Sequence, residues 1–108
     1  MPFSQLGLSV ELLKAISEQN YSAPYPIQIE AIPAILNGKD VVGIAQTGSG
    51  KTASFVLPIL VLFQKTNQST KNRHVKALIL VPTRELAIQI KAVFNDLGKY
   101  LTSKTKSL

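Results

Sequence analysis

Residues 40–52 read Asp-Val-Val-Gly-Ile-Ala-Gln-Thr-Gly-Ser-Gly-Lys-Thr, an apolar run that leads directly into a glycine-rich loop. The apolar run, Asp40–Ala45, predicts a buried strand, because near-continuous apolar runs suit a parallel sheet covered on both faces. A helical pattern follows over residues 51–64, and Pro58 is expected to bend it. A glycine-rich loop between a strand and a helix is the context that a phosphate-binding loop requires.

The loop itself, residues 45–52, has the form of a phosphate-binding loop, with Ala45 where the general pattern has glycine. Its glycines let backbone amides turn inward and form an anion site at the start of the next helix. Lys51 can then reach the β- and γ-phosphates, and the Thr52 hydroxyl can coordinate Mg²⁺. The alternative is a Gly-Ser-Gly turn beside an incidental lysine. We therefore predict binding of a nucleoside triphosphate with Mg²⁺, with Lys51 and Thr52 as candidate catalytic residues.

A second apolar run, Val75–Val81, predicts another strand, and residues 84–101 then carry apolar side chains at helical spacing. The order strand, helix, strand, helix implies an α/β fold with an open parallel sheet and flanking helices. Two strands are few for a stable sheet. We therefore expect an incomplete fold with an open sheet edge, and poor solubility or partial folding of the isolated chain.

The first forty residues predict helices. Ser9 is a suitable N-cap for a helix over residues 10–19. Pro26 can occupy the first turn of a second helix, and Pro33 is expected to divide that helix into two short pieces before Gly38 ends it.

Composition narrows the class of protein. The 108 residues include no cysteine and one histidine, which excludes a disulfide framework and a thiolate metal site. The start of the chain lacks a secretory signal, and polar residues interrupt every apolar run, so we expect a soluble, cytoplasmic protein.

The net charge is +6, and nine of the twelve basic residues follow residue 64. This asymmetry favours a nucleic-acid partner, with a solvated lysine face as the alternative.

Three segments together resemble the DEAD-box RNA helicases, and the resemblance covers essentially the whole chain. Residues 45–52 (AQTGSGKT) are similar to motif I of that family, and residues 82–87 (PTRELA) are similar to motif Ia. Residues 20–28 (NYSAPYPIQ), with Phe3 upstream, resemble the Q motif. The amino-acid sequence as a whole resembles the bacterial RhlE-type members of the family.

The resemblance implies a partial RecA-like domain of the phosphate-loop NTPase class. Residues 1–108 would form the first part of the N-terminal ATP-binding domain, with residues 1–29 as its Q-motif region and the second RecA-like domain absent. The D-E-A-D segment of the family is also absent, so we expect little or no ATPase activity from these 108 residues alone.

The resemblance also implies the roles of single residues. Gln28 would pair with the N6 and N7 edge of adenine, since its amide both donates and accepts. Tyr21 would stack on the base, with Phe3 supporting the pocket. Asn20 stands where the family has glycine. Without the other motifs, Gln28 would be interpreted as a solvated helix residue and Tyr21 as a core residue.

A candidate RNA site follows from the motif Ia match. Pro82 ends the second predicted strand, Thr83 can cap the next helix, and Arg84 lies in its first turn. An RNA phosphate would suit this group of donors and would be bound without regard to base identity. The alternative is an ion pair between Arg84 and Glu85 or another acid.

The sequence thus predicts the ATP-binding part of an RNA helicase, with ATP, Mg²⁺ and RNA as ligands. The candidate nucleotide-binding residues are Tyr21, Gln28, Ala45, Gln46, Thr47, Gly48, Ser49, Gly50, Lys51 and Thr52, and Thr52 is the candidate Mg²⁺ ligand. Two alternatives remain open at this point. One is a truncated module that binds nucleotide or RNA without catalysis, and the other is part of a different phosphate-loop ATPase, such as a DNA helicase.

Overall fold

The computed structural model describes residues 2–44, 50–66 and 77–101, without the side chains of residues 65 and 66. After a 3-10 helix at Phe3–Gln5, the described elements are α1 (Val10–Glu18), α2 (Pro26–Leu36), α3 (Lys51–Thr66) and α4 (Arg84–Leu97). Helix α3 packs against α2 and α4, and α1 packs against α4. Among these helices, none is long and apolar enough to cross a membrane.

The hydrophobic core forms where these helices meet. Helix α3 contributes one apolar face, because its buried side chains recur three and four residues apart. Helices α2 and α4 pack on this face, and α1 joins the same core through its packing against α4. The central buried side chains are Leu12, Ile16, Ile32, Val56, Leu57, Leu60, Ile90, Phe94 and Leu97.

Helices α1 and α4 begin where the sequence predicts. The Ser9 hydroxyl accepts a hydrogen bond from the backbone N of Leu12 at 3.4 Å, and the Thr83 hydroxyl accepts one from the backbone N of Leu86 at 3.1 Å. Each contact satisfies a donor that the first helical turn leaves without a partner in the helix.

The prediction of two short helices around Pro33 is wrong, because α2 runs through it as one helix, Pro26–Leu36. Proline removes one helical hydrogen bond. Ala31 and Ile32, just before Pro33, are buried in the core, so packing against α3 opposes a break at this point. The helix ends at Leu36, and Gly38 turns the chain with a φ of +80°.

The predicted parallel sheet is not found among the described residues. Residues 40–44 and 77–81, the described parts of the two predicted strands, belong to neither helix nor strand. The segment 77–81 nevertheless has the burial pattern of a strand, since Leu78 and Leu80 are exposed while Ile79 and Val81 pack on the core. Local sequence thus sets the alternation of side chains, whereas a sheet also needs hydrogen bonds from neighbouring strands.

Candidate nucleotide and RNA sites

The described part of the phosphate loop is Gly50, Lys51 and Thr52, at the N-terminus of α3. Residues 45–49, predicted to complete the loop, lie outside the described residues. Gly50 has a φ of +82°, in the left-handed region that glycine adopts readily. Lys51 is exposed and Thr52 is half-buried. The first turn of α3 has no acidic side chain, so no carboxylate there neutralises the partial positive charge of the helix N-terminus. A bound anion would interact favourably with that charge.

The carbonyl of Gly50 is held from two directions. It accepts a hydrogen bond from the backbone N of Ser54 at 3.2 Å and another from Nε2 of Gln28 at 3.1 Å. The Ser54 side chain is buried, and its hydroxyl donates to the carbonyl of Lys51. These contacts fix the backbone at the point where the loop joins α3.

Gln28 is the most buried polar side chain described, with 1% of its surface exposed. Its Oε1 accepts from the backbone N of Tyr25 at 2.9 Å, and its Nε2 donates to the Gly50 carbonyl. A side-chain amide has two N–H groups and two lone pairs, so these contacts use one of each. The remaining N–H and lone pair match the N7 acceptor and N6 donor of adenine. Since Gln28 is enclosed, an adenine could reach it only if neighbouring groups move.

Tyr21 lies beside Phe3, with their ring centroids 6.2 Å apart at an interplanar angle of 33°. Phe3 is buried, whereas 37% of Tyr21 is exposed. Partial burial raises the pKa of Tyr21, and electrostatic interactions with Asp96 and Tyr25 raise it further. Tyr21 is therefore a neutral ring that offers an exposed surface and rests on a buried aromatic neighbour.

The candidate RNA residues Pro82, Thr83 and Arg84 are all exposed at the start of α4. Thr83 uses its hydroxyl to cap the helix. The predicted alternative, an ion pair of Arg84 with Glu85 or another acid, is not present among the residues that the structure describes. Arg84 is a cation at the positive end of a helix, where an anionic ligand would be favourable.

Sequence reasoning missed the bond between Gln28 and Gly50, which joins residues 22 positions apart. It also missed the capping role of Gln28, which reaches back from the third helical position to the backbone N of Tyr25. The signal was partly available, because glutamine at that position is half of a capping box. The capping box was not recognised because Tyr25 occupies its first position, where the usual motif has serine or threonine.

Comparison with known proteins establishes the family. The family model for DEAD/DEAH box helicases matches residues 25–108. This chain therefore belongs to the DEAD/DEAH box helicase family.

The chain is similar to the ATP-dependent RNA helicase CshA of Limosilactobacillus reuteri, with 52% identity over 99 residues. The match covers 92% of this chain and 19% of CshA, so the chain spans about a fifth of that relative.

Two solved structures are also similar. One is the RNA helicase Prp28 of Chaetomium thermophilum bound to ADP, with a TM-score of 0.90 and 40% identity, covering 99% of this chain and 26% of that one. The other is a variant of Dbp5 of S. cerevisiae bound to RNA and ADP BeF3, with a TM-score of 0.80 and 35% identity. It covers 94% of this chain and 25% of that one. The likeness of the chain to these two structures supports its interpretation as part of a helicase.

Proposed function

We propose that this chain is the ATP-binding part of an RNA helicase that couples ATP binding and hydrolysis to the unwinding of RNA duplexes. Residues 1–108 would be the first part of its N-terminal RecA-like domain, with residues 1–29 as the Q-motif region and a parallel sheet formed in the longer protein. The 108 residues alone would bind nucleotide without turnover. A bacterial RhlE-type subclass and a cytoplasmic location remain predictions from the sequence.

The observation that carries the proposal is the junction of α2 and α3. Gln28, from the first turn of α2, is bonded to Gly50, which directly precedes Lys51 and Thr52. The residue types suited to adenine and to phosphate are thus joined by one hydrogen bond between α2 and the residue before α3. Residues 45–49 would complete the phosphate site, and Tyr21 would contact the base.

In this proposal each group has a separate task. Lys51 binds the β- and γ-phosphates, and the Thr52 hydroxyl is a ligand of the Mg²⁺ that accompanies them. Bound Mg²⁺ would neutralise charge on the phosphates. Gln28 selects adenine, because guanine offers an acceptor where adenine offers the N6 donor.

Substitution of Lys51 tests the phosphate assignment. We expect Lys51→Ala to weaken Mg·ATP binding at least about 10-fold, the size of a lost charge-assisted contact, measured by isothermal titration calorimetry. Lys39→Ala is a suitable control, since Lys39 is exposed and follows the C-terminal end of α2, away from Gln28. Equal affinity of the two variants would contradict the assignment.

Arg84, with Pro82 and Thr83, is proposed to contact RNA phosphate. We expect Arg84→Ala to weaken binding of single-stranded RNA equally for different sequences, and to reduce the slope of log affinity against log salt by about 1. Fluorescence anisotropy with oligouridine and a mixed-sequence oligonucleotide measures both. A loss confined to one sequence would show base readout instead.

A further inference from the structure

The end of α2 carries an Asn-Gly pair, Asn37 and Gly38, at the surface of the chain. Both residues are exposed, and a Cβ added to Gly38 would meet no atom within 4 Å. The side-chain amide of an asparagine can be attacked at Cγ by the backbone N of the next residue. Glycine leaves that nitrogen unshielded, because it has no side chain. Asn37 therefore has the sequence context in which asparagine loses its amide group most readily.

The reaction, deamidation, needs only water as a co-reactant. The backbone N of Gly38 gives up its proton to solvent and forms a bond to Cγ of Asn37. The bond between Cγ and the side-chain nitrogen breaks, and that nitrogen takes a proton from solvent and leaves as ammonia. A cyclic imide remains, and a water molecule then opens it at either of its two carbonyls. The products are aspartate and isoaspartate.

The folded backbone holds Asn37 away from the reactive geometry. Asn37 is the C-cap of α2, with a φ of −87° and a ψ of 8°. At this ψ the backbone N of Gly38 eclipses the backbone N of Asn37 itself. Closure of the imide ring requires the same nitrogen to eclipse Cβ of Asn37 instead. The Cα–C bond of Asn37 must therefore rotate before the side chain can react.

Two hydrogen bonds oppose that rotation. The backbone N of Gly38 donates to the carbonyl of Ile35 at 3.0 Å, and that of Lys39 donates to the carbonyl of Ala34 at 3.1 Å. Together with the φ of +80° at Gly38, these bonds form a Schellman turn. Rotation at Asn37 would carry both N–H groups away from their acceptors. Asn37 can thus react only while the end of α2 is locally open.

We propose that Asn37 is a site of spontaneous deamidation that the Schellman turn at the end of α2 controls. The rate of modification then reports how often this turn opens. The inference does not depend on the proposed function. Either product would alter the turn: a carboxylate at position 37 is unfavourable beside the partial negative charge of the helix C-terminus. Isoaspartate also lengthens the main chain by one methylene group.

The test follows deamidation by peptide mapping with mass spectrometry, in the folded 108-residue chain and in an unstructured peptide of residues 34–41. We expect Asn37 of the folded chain to react at least about 10-fold more slowly than in the peptide, because it reacts only from the open state. Asn20 and Asn95 are internal controls, since both are exposed and precede residues with side chains. Both should react more slowly than Asn37.

A pair of variants at Lys39 isolates the turn. Lys39→Pro removes the backbone N–H that donates to Ala34, whereas Lys39→Ala keeps it. We expect Lys39→Pro to speed deamidation of Asn37 at least about 5-fold relative to a peptide with the same substitution, and Lys39→Ala to leave it unchanged. Hydrogen exchange of the Gly38 amide in the unaltered chain gives a second measure, and its protection should match the slowing of deamidation.

Three results would overturn the proposal. One is deamidation of Asn37 in the folded chain as fast as in the peptide. Another is modification of Asn20 or Asn95 before Asn37. The third is a Gly38 amide that exchanges as fast in the folded chain as in the peptide, since the turn would then not restrain Asn37.

Discussion

Asn20 connects α1 to the candidate base-binding segment through a left-handed turn. Its φ is +62°, and it is the one described residue other than glycine with a positive φ. The backbone N of Tyr21 donates to the carbonyl of Ile16 at 3.3 Å, and that of Asn20 donates to Ser17 at 3.2 Å. This is the Schellman arrangement, which ends a helix in a left-handed residue. Asparagine adopts this conformation more readily than other residues with a side chain, so it can stand where the family has glycine.

Substitution of Asn20 measures the cost of this turn. We expect Asn20→Ala to lower the free energy of unfolding by about 1 kcal/mol, because alanine is strained in the left-handed region. Asn20→Gly should stay within about 0.5 kcal/mol of the unaltered chain. Urea unfolding of the three proteins provides the comparison. If the alanine variant were as stable as the glycine variant, backbone strain would not be what selects the residue here.

At the residue scale, the roles of Gln28, Lys51 and Arg84 were inferred from the chemistry of each residue type, and they stay predictions. The sequence did not predict that Gln28 would be enclosed and bonded to Gly50. That contact depends on how α2 lies against α3, which the residue itself does not encode. If Gln28 binds adenine as proposed, the free energy of binding includes the cost of opening this enclosure.

At the element scale, α1 and the end of α4 are joined by a polar cluster at the surface. Glu18 forms an ion pair with Lys99 and accepts a hydrogen bond from the hydroxyl of Tyr100. The ammonium of Lys14 lies 4.5 Å from the centroid of the Tyr100 ring, a cation–π contact. The hydrogen bond from Lys99, followed by that from Tyr100, lowers the pKa of Glu18, and the bond to Glu18 raises the pKa of Lys99.

The pKa shift of Glu18 makes the stability of the folded chain depend on pH. Because the pKa of Glu18 is lower in the folded chain, its contribution to stability is present above its ordinary value of 4.5 and is lost as the pH falls through the folded value. We expect Glu18→Gln to have a lower Tm than the unaltered chain at pH 7, with the difference closing as the pH falls below 4.5 and through the lowered pKa of Glu18. The effect should be small and weakened by salt, since the pair is exposed. Glu30→Gln, on the exposed side of α2, is the control, and a difference that persisted at low pH would contradict the ion-pair explanation.

Local signals predicted α1 and α4 well. Their first residues follow Ser9 and Thr83, and an N-cap acts within one helical turn. The break expected at Pro33 did not occur. That prediction was based on the helical hydrogen bond that proline removes, and the burial of Ala31 and Ile32 could not be known from the local sequence. Local signals are least informative for the two predicted strands, since a strand forms its hydrogen bonds with partners that are distant in sequence.

At the scale of the whole molecule, the four helices form a core while apolar side chains of the intervening segments face solvent. Val42 and Ile44 are 89% and 91% exposed, and Leu78 and Leu80 are 73% and 84% exposed. These side chains come from the two segments predicted as strands. Exposed apolar side chains favour association, and poor solubility of the isolated chain stays a prediction.

The central claim is that the first turn of α2 and the N-terminus of α3 together form an ATP site. Calorimetric titration of the 108-residue chain with Mg·ATP and Mg·GTP, side by side, tests it most directly. We predict binding of ATP and at least about 10-fold weaker binding of GTP, since guanine would place its O6 acceptor against the remaining lone pair of Gln28 Oε1, where adenine offers its N6 donor. Equal affinity for the two nucleotides, or no binding of ATP, would contradict the claim.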